Sequence, residues 1–419
     1  MTTNYQVAAG LDVHKKFIQA TILWINETKK QRQFPRTHTG LLGLKDWILE
    51  HKCDVVACES TSDYWVNIYD LLISYVLVIV GNAHDIKVLS HKKTDKIDSE
   101  MIALLALKGM IAPSRVMPRY HRDFRKLVRL RHFLVGKRTD IKNRIHSILD
   151  SELFHLSTIL TDIFGISGQR VMQGICEGSS IDTILQSIPN RVRAKKEAEL
   201  RELIEHNLSP GALMQLGHCL RVIKQLDEEI DMLTEEARAY TLRTHPREYR
   251  ILKTVPGVGD IAAITLIAEI GNFKDFISGD KLASWLGIVP TVYQSANHIV
   301  KCSITKRGSR IARWIMTQVA HGAVKTRKNV FREWYEVKKA VIGTGKAIIA
   351  LARKMITIIW HLIVNDEEYI DKYSEPEQPE SKTVHTIRIP TSTNYTLEQV
   401  IVLVSDAINF LNKRGPDPA

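Results

Sequence analysis

VAAGLDVHKK, residues 7–16, is the stretch whose reading decides the fold. Its apolar run of five residues is too short for a helix and suits a strand covered on both faces. The run closes on one acid, Asp12, and His14, Lys15 and Lys16 follow at once. A carboxylate lifted off the end of a buried strand either holds a metal ion or caps a turn, and the stretch alone leaves both readings open. Residues 17–24 form a second apolar, β-rich run joined to the first by a short polar connection, as in a hairpin. Residues 31–34 offer a third strand.

Further outward the pattern changes. Residues 41–51 have helical spacing through Leu42, Leu44, Trp47 and Ile48. DVVAC, residues 54–58, is continuously apolar, as a strand in parallel pairing is. Residues 63–73 return to helix, residues 75–80 to strand, and residues 95–107 form a helix with Thr94 as N-cap. A hairpin followed by β-α-β crossovers predicts a mixed α/β sheet with helices on its faces over residues 1–112.

The chain has 419 residues, 44% hydrophobic and 25% charged, enough for two or three domains with proper cores. A net charge of +12 points to a polyanionic partner, most simply nucleic acid. The excess is concentrated: residues 115–146 hold eleven Lys/Arg against Asp123 and Asp140, and residues 281–332 hold ten Lys/Arg and no acid. Five cysteines without CxxC pairing read as reduced thiols of a cytoplasmic protein. No run approaching the ~18–20 apolar residues of a membrane helix is expected, nor is a membrane partner.

Residues 118–152 read as a long basic helix, 154–190 as irregular with glycine-marked loops, and 191–206 as a charged helix. Residues 212–237 carry a heptad pattern, Leu213, Leu216, Leu220, Ile223, Ile230 and Leu233. Two long helices around a broken middle predict a coiled-coil arm over 113–246, with a plain helical bundle as the alternative. From 247 to 365 the chain is compact again. TVPGVGDIAAITLIAEIG, residues 254–271, is a glycine turn leading into an apolar helix, in the style of a helix–hairpin–helix whose amides can meet a phosphate. Helices at 281–286 and 309–326 flank a polar loop at 290–308, and 340–364 is a mostly apolar helix. Within 366–419, residues 375–393 read as a linker and 397–411 as a last amphipathic helix.

Two constellations could carry chemistry. Asp12 and Glu59 each end a strand, and strand-end carboxylates converge at one sheet edge, where α/β proteins place their sites. Asp95 and Asp98, three apart at a helix start, share one face. Four gathered carboxylates would repel each other unless divalent cations sat between them, and oxygen donors of this kind suit Mg²⁺ or Mn²⁺. Taken singly, each has an ordinary explanation: a helix-dipole partner, a surface acid, a strand-end ion pair. Asp54, Asp63, Asp85 and Glu100 compete nearby.

The second constellation is the acid-free stretch 289–310, with hydroxyls at Tyr293, Ser295, Ser303 and Thr305 among Lys301, Lys306, Arg307 and Arg310. A serine needs a base or metal to become a nucleophile. None lies in this stretch, so on chemistry alone these hydroxyls serve better as phosphate contacts. GTGKA, residues 343–347, lacks the spacing of a phosphate loop, and the histidines lack that of a zinc site.

GLDVHKK, ACESTSDYW, KTDKIDS, TVPGVG and GIVPTVYQSAN…ITKRGS stand in this order and spacing over roughly residues 5–365. Together they resemble the DEDD-type insertion-sequence transposases, also described as bridge-RNA-guided recombinases. The resemblance implies a RuvC-like (RNase H-like) N-terminal domain, a coiled-coil arm and a C-terminal transposase domain. By position, Asp12, Glu59, Asp95 and Asp98 match the family's Mg²⁺-holding D, E, D and D, and Ser295 its nucleophilic serine. It further implies a phosphoserine link to DNA, donor and target DNA chosen by a noncoding RNA, and an active site shared between protomers of a dimer that pairs into a tetramer. Ala296 departs from the glycine that often follows the serine, and residues beyond about 365 have no counterpart.

The leading expectation is therefore a DNA recombinase of the transposase type. Backbone-gripping charges are expected at Arg125, Lys126, Arg129, Lys137 and Arg138 on the arm and at Lys306, Arg307 and Arg310 near Ser295. A RuvC-like nuclease or junction resolvase using metal-bound water is the second reading. A non-enzymatic nucleic-acid-binding assembly protein is the third.

Overall fold

The computed structural model describes residues 5–373 except 61, 83–85, 87–94, 296–297, 307 and 327, and leaves the side chains of 95–97 and 291–303 outside the description. Thr94, the linker expected at 375–393 and the helix expected at 397–411 thus lie outside the described residues.

The N-terminal region contains β1 (Val7–Val13), β2 (Phe17–Trp24), β3 (Lys29–Pro35), α1 (His38–Glu50), β4 (Val55–Glu59), α2 (Val66–Leu72), β5 (Leu77–Gly81) and α3 (Asp95–Leu107). The strands form one sheet in the order β3-β2-β1-β4-β5. β2 is antiparallel to β1 and β3, whereas β1, β4 and β5 run parallel. The sheet is mixed, as expected. The alternation of a strand explains its two covers. Val7, Ala9 and Leu11 face a core with Leu44, Ile48, Ile68 and Leu72 of α1 and α2. Ala8 faces the opposite core, with Ile102, Leu105 and Ala106 of α3.

Gly10 sets how closely α3 approaches. A Cβ there would lie 2.2 Å from both the Ser99 carbonyl oxygen and the Ala103 nitrogen. The contact is reinforced by a buried hydroxyl pair, Thr21 Oγ1 to Ser99 Oγ at 2.8 Å. Gly10→Ala must push the helix backbone away, and overpacking of this kind costs about 1–3 kcal/mol. The melting temperature should fall by about 5 °C or more, read by circular dichroism. A variant melting with the wild type would show that α3 is not seated on β1.

Two long helices follow the sheet, α4 (Arg119–Ser151) and, after four shorter ones, α9 (Pro210–Thr244). They run antiparallel: Arg131 reaches Thr234 at 2.6 Å, Arg138 pairs with Asp227, Arg144 reaches Gln215 at 3.1 Å, and Glu152 accepts from Ser209 N at 2.9 Å. At their root, Phe124 stacks on Tyr240 with ring centroids 4.4 Å apart. Between them lie α5 (Leu156–Ile159), α6 (Ile166–Cys176), α7 (Ile181–Ser187) and α8 (Asn190–Glu205). The irregular stretch expected at 154–190 is therefore corrected to three short helices. Gly165 and Gly178 mark a bend and a turn as expected, whereas the other two glycines serve close packing. Gly168 and Gly174 lie inside α6, where a Cβ would strike Ile163 at 2.2 Å and Ile184 at 2.6 Å. Phe154, Met172, Ile184, Leu200 and Leu216 fill the core they close on.

The C-terminal region contains α10 (Pro246–Thr254), α11 (Asp260–Ile270), a 3-10 turn (Phe273–Asp275), α12 (Gly279–Leu286), β6 (Pro290–Ser295), β7 (His298–Ile304), α13 (Arg310–Lys325), α14 (Val330–Ile342) and α15 (Thr344–Asn365). The expected glycine turn is present: at Gly257 φ is 85° and a Cβ would meet the Val319 carbonyl oxygen at 2.3 Å. Two expectations are corrected. The polar loop at 290–308 is an antiparallel hairpin, β6 with β7, whose Val292, Ile299, Val300 and Ile304 favour extended backbone. The single helix at 340–364 is broken at Gly343, whose φ of 79° is incompatible with continuing α14 into α15.

α15 is, against expectation, long and apolar enough by length and composition to cross a membrane. In the fold it is a core helix, with Leu351, Met355, Ile356 and Ile359 fully buried and α12, α13 and α14 packed on it.

Candidate active site

The register of the parallel strands brings two of the acids together. Leu11 of β1 stands opposite Cys58 of β4, so Asp12 and Glu59 emerge one residue later from the same end of adjacent strands, whose backbones run ~4.8 Å apart. Both are half-buried. His14 folds back onto Asp12, Nε2 to Oδ2 at 2.9 Å, a partner that the sequence reading left among the general basic surroundings.

α3 delivers the other two. Ser99 and Ala103 sit over Gly10, while Ile102, Leu105 and Ala106 join the cluster of Ala8 and Val55 near the strand starts. The helix thus runs back along β1, and its first turn, with Asp95 and Asp98, lies toward the Asp12 end. Asp98 is half-buried, and the side chain of Asp95 lies outside the described residues. Among the described residues no group of three or more His, Cys, Asp or Glu side chains could hold a metal ion. The donors are nonetheless of the right kind: carboxylates on a rigid sheet edge and on a helix seated against it fit a hard divalent cation.

Ser295 is the last residue of β6, opposite His298 across the hairpin turn. Its side chain is outside the described residues. The hairpin is pinned at its base, where Thr305 N donates to Val289 O at 3.0 Å and Lys306 N to Gly287 O at 3.1 Å. Among the described elements its substantial packing is between its own two strands. Gly308, with φ 93°, passes so close to the Trp285 carbonyl that a Cβ would lie 1.8 Å from its oxygen. The next residue, Ser309, caps α13.

A buried carboxylate that the sequence reading passed over ties this region together. Glu269, fully buried at the end of α11, accepts from Arg125 Nε at 3.0 Å, Arg129 Nε at 2.7 Å and the Ser309 hydroxyl at 2.7 Å. Burial alone would raise its pKa. The Arg129 hydrogen bond, the charges of Arg125 and Arg129 and the Ser309 hydroxyl outweigh that and hold it below the usual carboxylate range. For Arg125, burial prevails and lowers the pKa; for Arg129, the hydrogen bond to Glu269 raises it. One side chain therefore joins α4, α11 and the start of α13. The signal was visible as the lone acid in the apolar run TLIAEIG.

The expected phosphate-gripping charges are distributed unevenly. Arg125 and Arg129 are occupied by Glu269, and Arg138 by Asp227 across the arm, so the fold takes up these three charges internally. Lys126 and Lys137 pair only along their own helix, with Asp123 at 3.9 Å and Asp140 at 3.0 Å, at exposed positions. Lys306 and Arg310 are exposed, and Arg307 lies outside the described residues.

Residues 9–154 match a family model described as a transposase, of the DEDD IS110 type. Residues 249–336 match a second, described as transposase, IS116/IS110/IS902 family. With strand-end acids on the first segment and the basic helical region on the second, the chain falls in the class of transposases, enzymes that recombine DNA. Among curated relatives, the transposase for insertion sequence element IS1111A of Coxiella burnetii is 23% identical over 76% of this chain and 79% of its own length. The probable family 20 transposase of Pseudomonas aeruginosa is 23% identical over 66% and 74%, and the transposase for insertion sequence element IS1328 of Yersinia enterocolitica 25% over 64% and 71%. The protein is an insertion-sequence transposase that matches the IS110 and IS116/IS110/IS902 family models over these two segments, and the DEDD-type match points to dependence on a divalent metal.

Proposed function

We propose that this transposase cuts and rejoins DNA through a covalent phosphoserine link formed by Ser295, at a site completed by Asp12, Glu59, Asp95 and Asp98. In this reading residues 1–112 form a RuvC-like metal-binding domain, 113–246 a coiled-coil arm and 247–365 the serine-bearing domain. Residues 366–419 form a linker and a terminal amphipathic helix. The observation that carries the reading is the register of β1 with β4, which sets Asp12 beside Glu59 at the sheet edge that α3 approaches with its own acids. The 3-2-1-4-5 order with an antiparallel second strand supports the RuvC-like assignment.

The Ser295 oxygen attacks the phosphorus, its bond to phosphorus forms as the bond to the sugar oxygen breaks, and the serine proton is balanced by the one the departing sugar hydroxyl gains. The reverse step, by a hydroxyl from the other duplex, releases the serine and joins the new strands. Mg²⁺, or Mn²⁺, held by the four carboxylates would stabilise charge on the attacking and leaving oxygens. Asp12 is oriented by His14, and the sheet register keeps Glu59 level with it. Double-stranded donor and target DNA are the substrates, and a noncoding bridge RNA selects them.

The serine and the acids belong to separate regions of the chain, and the hairpin packs on itself, which favours a site shared between subunits of a dimer or tetramer. Mixing tests this directly. Ser295→Ala and Asp12→Asn proteins, each inactive alone, should regain strand exchange when mixed, because one of the two shared sites is then intact. Mixed oligomers that stay inactive would place serine and acids in the same subunit.

A further inference from the structure

The mouth between the arm and the C-terminal region has the chemistry of a base-stacking site. A cleft of about 810 Å³ lies between α4 and α13, lined by Arg129, His132, Phe133, Lys137, Arg310 and Trp314. Large aromatic side chains are ordinarily withdrawn from solvent, yet Phe133 is 55% and Trp314 43% exposed here. The His132 ring lies 4.7 Å from that of Trp314. Burial and then the Arg131 charge lower the pKa of His132, so this wall of the cleft is aromatic and uncharged at neutral pH. The opposing charges are positive: Arg310 makes no ion pair among the described residues, and Lys137 is shared with Asp140, the one acid on the rim.

Gly136 is the second, independent observation. It lines the same cleft in the interior of α4, where glycine destabilises a helix relative to alanine. Nothing lies within 4 Å of where its Cβ would be, so neither packing nor backbone conformation calls for glycine. Its effect is to leave the helix backbone open to an approaching group.

We propose that this cleft binds an unpaired nucleotide of a single nucleic-acid strand, its base stacked on Trp314 and Phe133 and its phosphates met by Arg310 and Lys137. The proposal rests on the chain acting on nucleic acid but not on Ser295 being the nucleophile. A flat aromatic face can be stacked only by a base whose own face is free, which paired duplex does not offer. Arg310, which lines the cleft, directly follows the Ser309 cap of α13, a few residues along the chain from the serine hairpin.

The test is fluorescence anisotropy with full-length protein lacking divalent ions, using fluorescein-labelled single strands of RNA and of DNA, about 12 nucleotides long, and a blunt duplex. Trp314→Ala should weaken single-strand binding by about tenfold to a hundredfold while changing duplex binding by about twofold or less. Trp314→Phe should keep most of the affinity. Gly136→Leu should fill the cleft, lower single-strand affinity as Trp314→Ala does, and melt no lower than wild type, which separates loss of the site from loss of fold. The RNA and DNA arms show which strand is preferred, and a preference for either supports the site. Wild-type single-strand binding by both Trp314→Ala and Gly136→Leu, or equal losses on single strand and duplex, would overturn it. Because no bond is cut in this assay, its failure leaves the serine chemistry standing, and failure of the serine chemistry leaves it standing.

Discussion

Ser295→Ala is expected to lower strand exchange by about 10⁴-fold or more, the scale seen when a covalent nucleophile is deleted from an otherwise intact site. The substitution removes one oxygen from the last residue of β6 and leaves the backbone pairing with His298 in place. The hairpin's anchors at Val289 and Gly287 are backbone hydrogen bonds, which a change of side chain at 295 leaves in place. DNA binding should therefore persist while chemistry is lost. A rate within about tenfold of wild type would mean that another nucleophile does the work. Metal-bound water in a RuvC-like nuclease is then the reading to restore.

Glu269→Ala is expected to produce the largest loss of stability. It would leave Arg125 and Arg129 facing each other without their shared carboxylate and Ser309 without its acceptor. Removing one partner of a buried charge network costs about 3–5 kcal/mol, and the 44% exposure of Arg129 argues for the lower end. Glu269→Gln, which keeps an acceptor but not the charge, should fall between wild type and alanine. The pH dependence follows from the depressed pKa of Glu269. A carboxylate easier to ionise when folded contributes its full stabilisation above the ordinary carboxylate pKa, and loses it as pH falls through the lower folded value. Thermal or urea unfolding at neutral pH should thus separate wild type from Glu269→Ala widely, and the gap should narrow below about pH 4. A gap that is small at neutral pH, or that widens in acid, would remove Glu269 from its role as the joint between α4, α11 and the start of α13.

Most of the sheet was legible because β1, β2, β4 and β5 are short apolar runs whose burial allows little else; the polar, exposed edge strand β3 is the exception. Val7–Val13 and Val55–Glu59 fall within a residue or two of the reading. α3 was placed at its observed bounds, Asp95–Leu107. What escaped were features set by distant partners. Gly165 and Gly178 do mark a bend and a turn, but Gly168 and Gly174 lie inside a helix; a sequence does not reveal that Ile163 and Ile184 will press against them. The 290–308 hairpin was hidden by polar residues on strands that pack mainly on each other, where no apolar face is required. Among the basic residues, charge alone could not tell Arg125 and Arg129, which serve Glu269, from Arg310, which makes no ion pair among the described residues. The candidate site was legible as motifs at particular positions. That Asp12 and Glu59 emerge side by side depends on the register of β1 with β4, which only the fold supplies.

The most direct measurement is the mass of the peptide containing Ser295 after a strand-exchange reaction with Mg²⁺ is stopped in denaturant and digested with protease and nuclease. A nucleotide joined to Ser295 through a phosphodiester is expected, absent when Mg²⁺ is withheld. Strand exchange that proceeds while every Ser295 peptide remains unmodified would contradict that link.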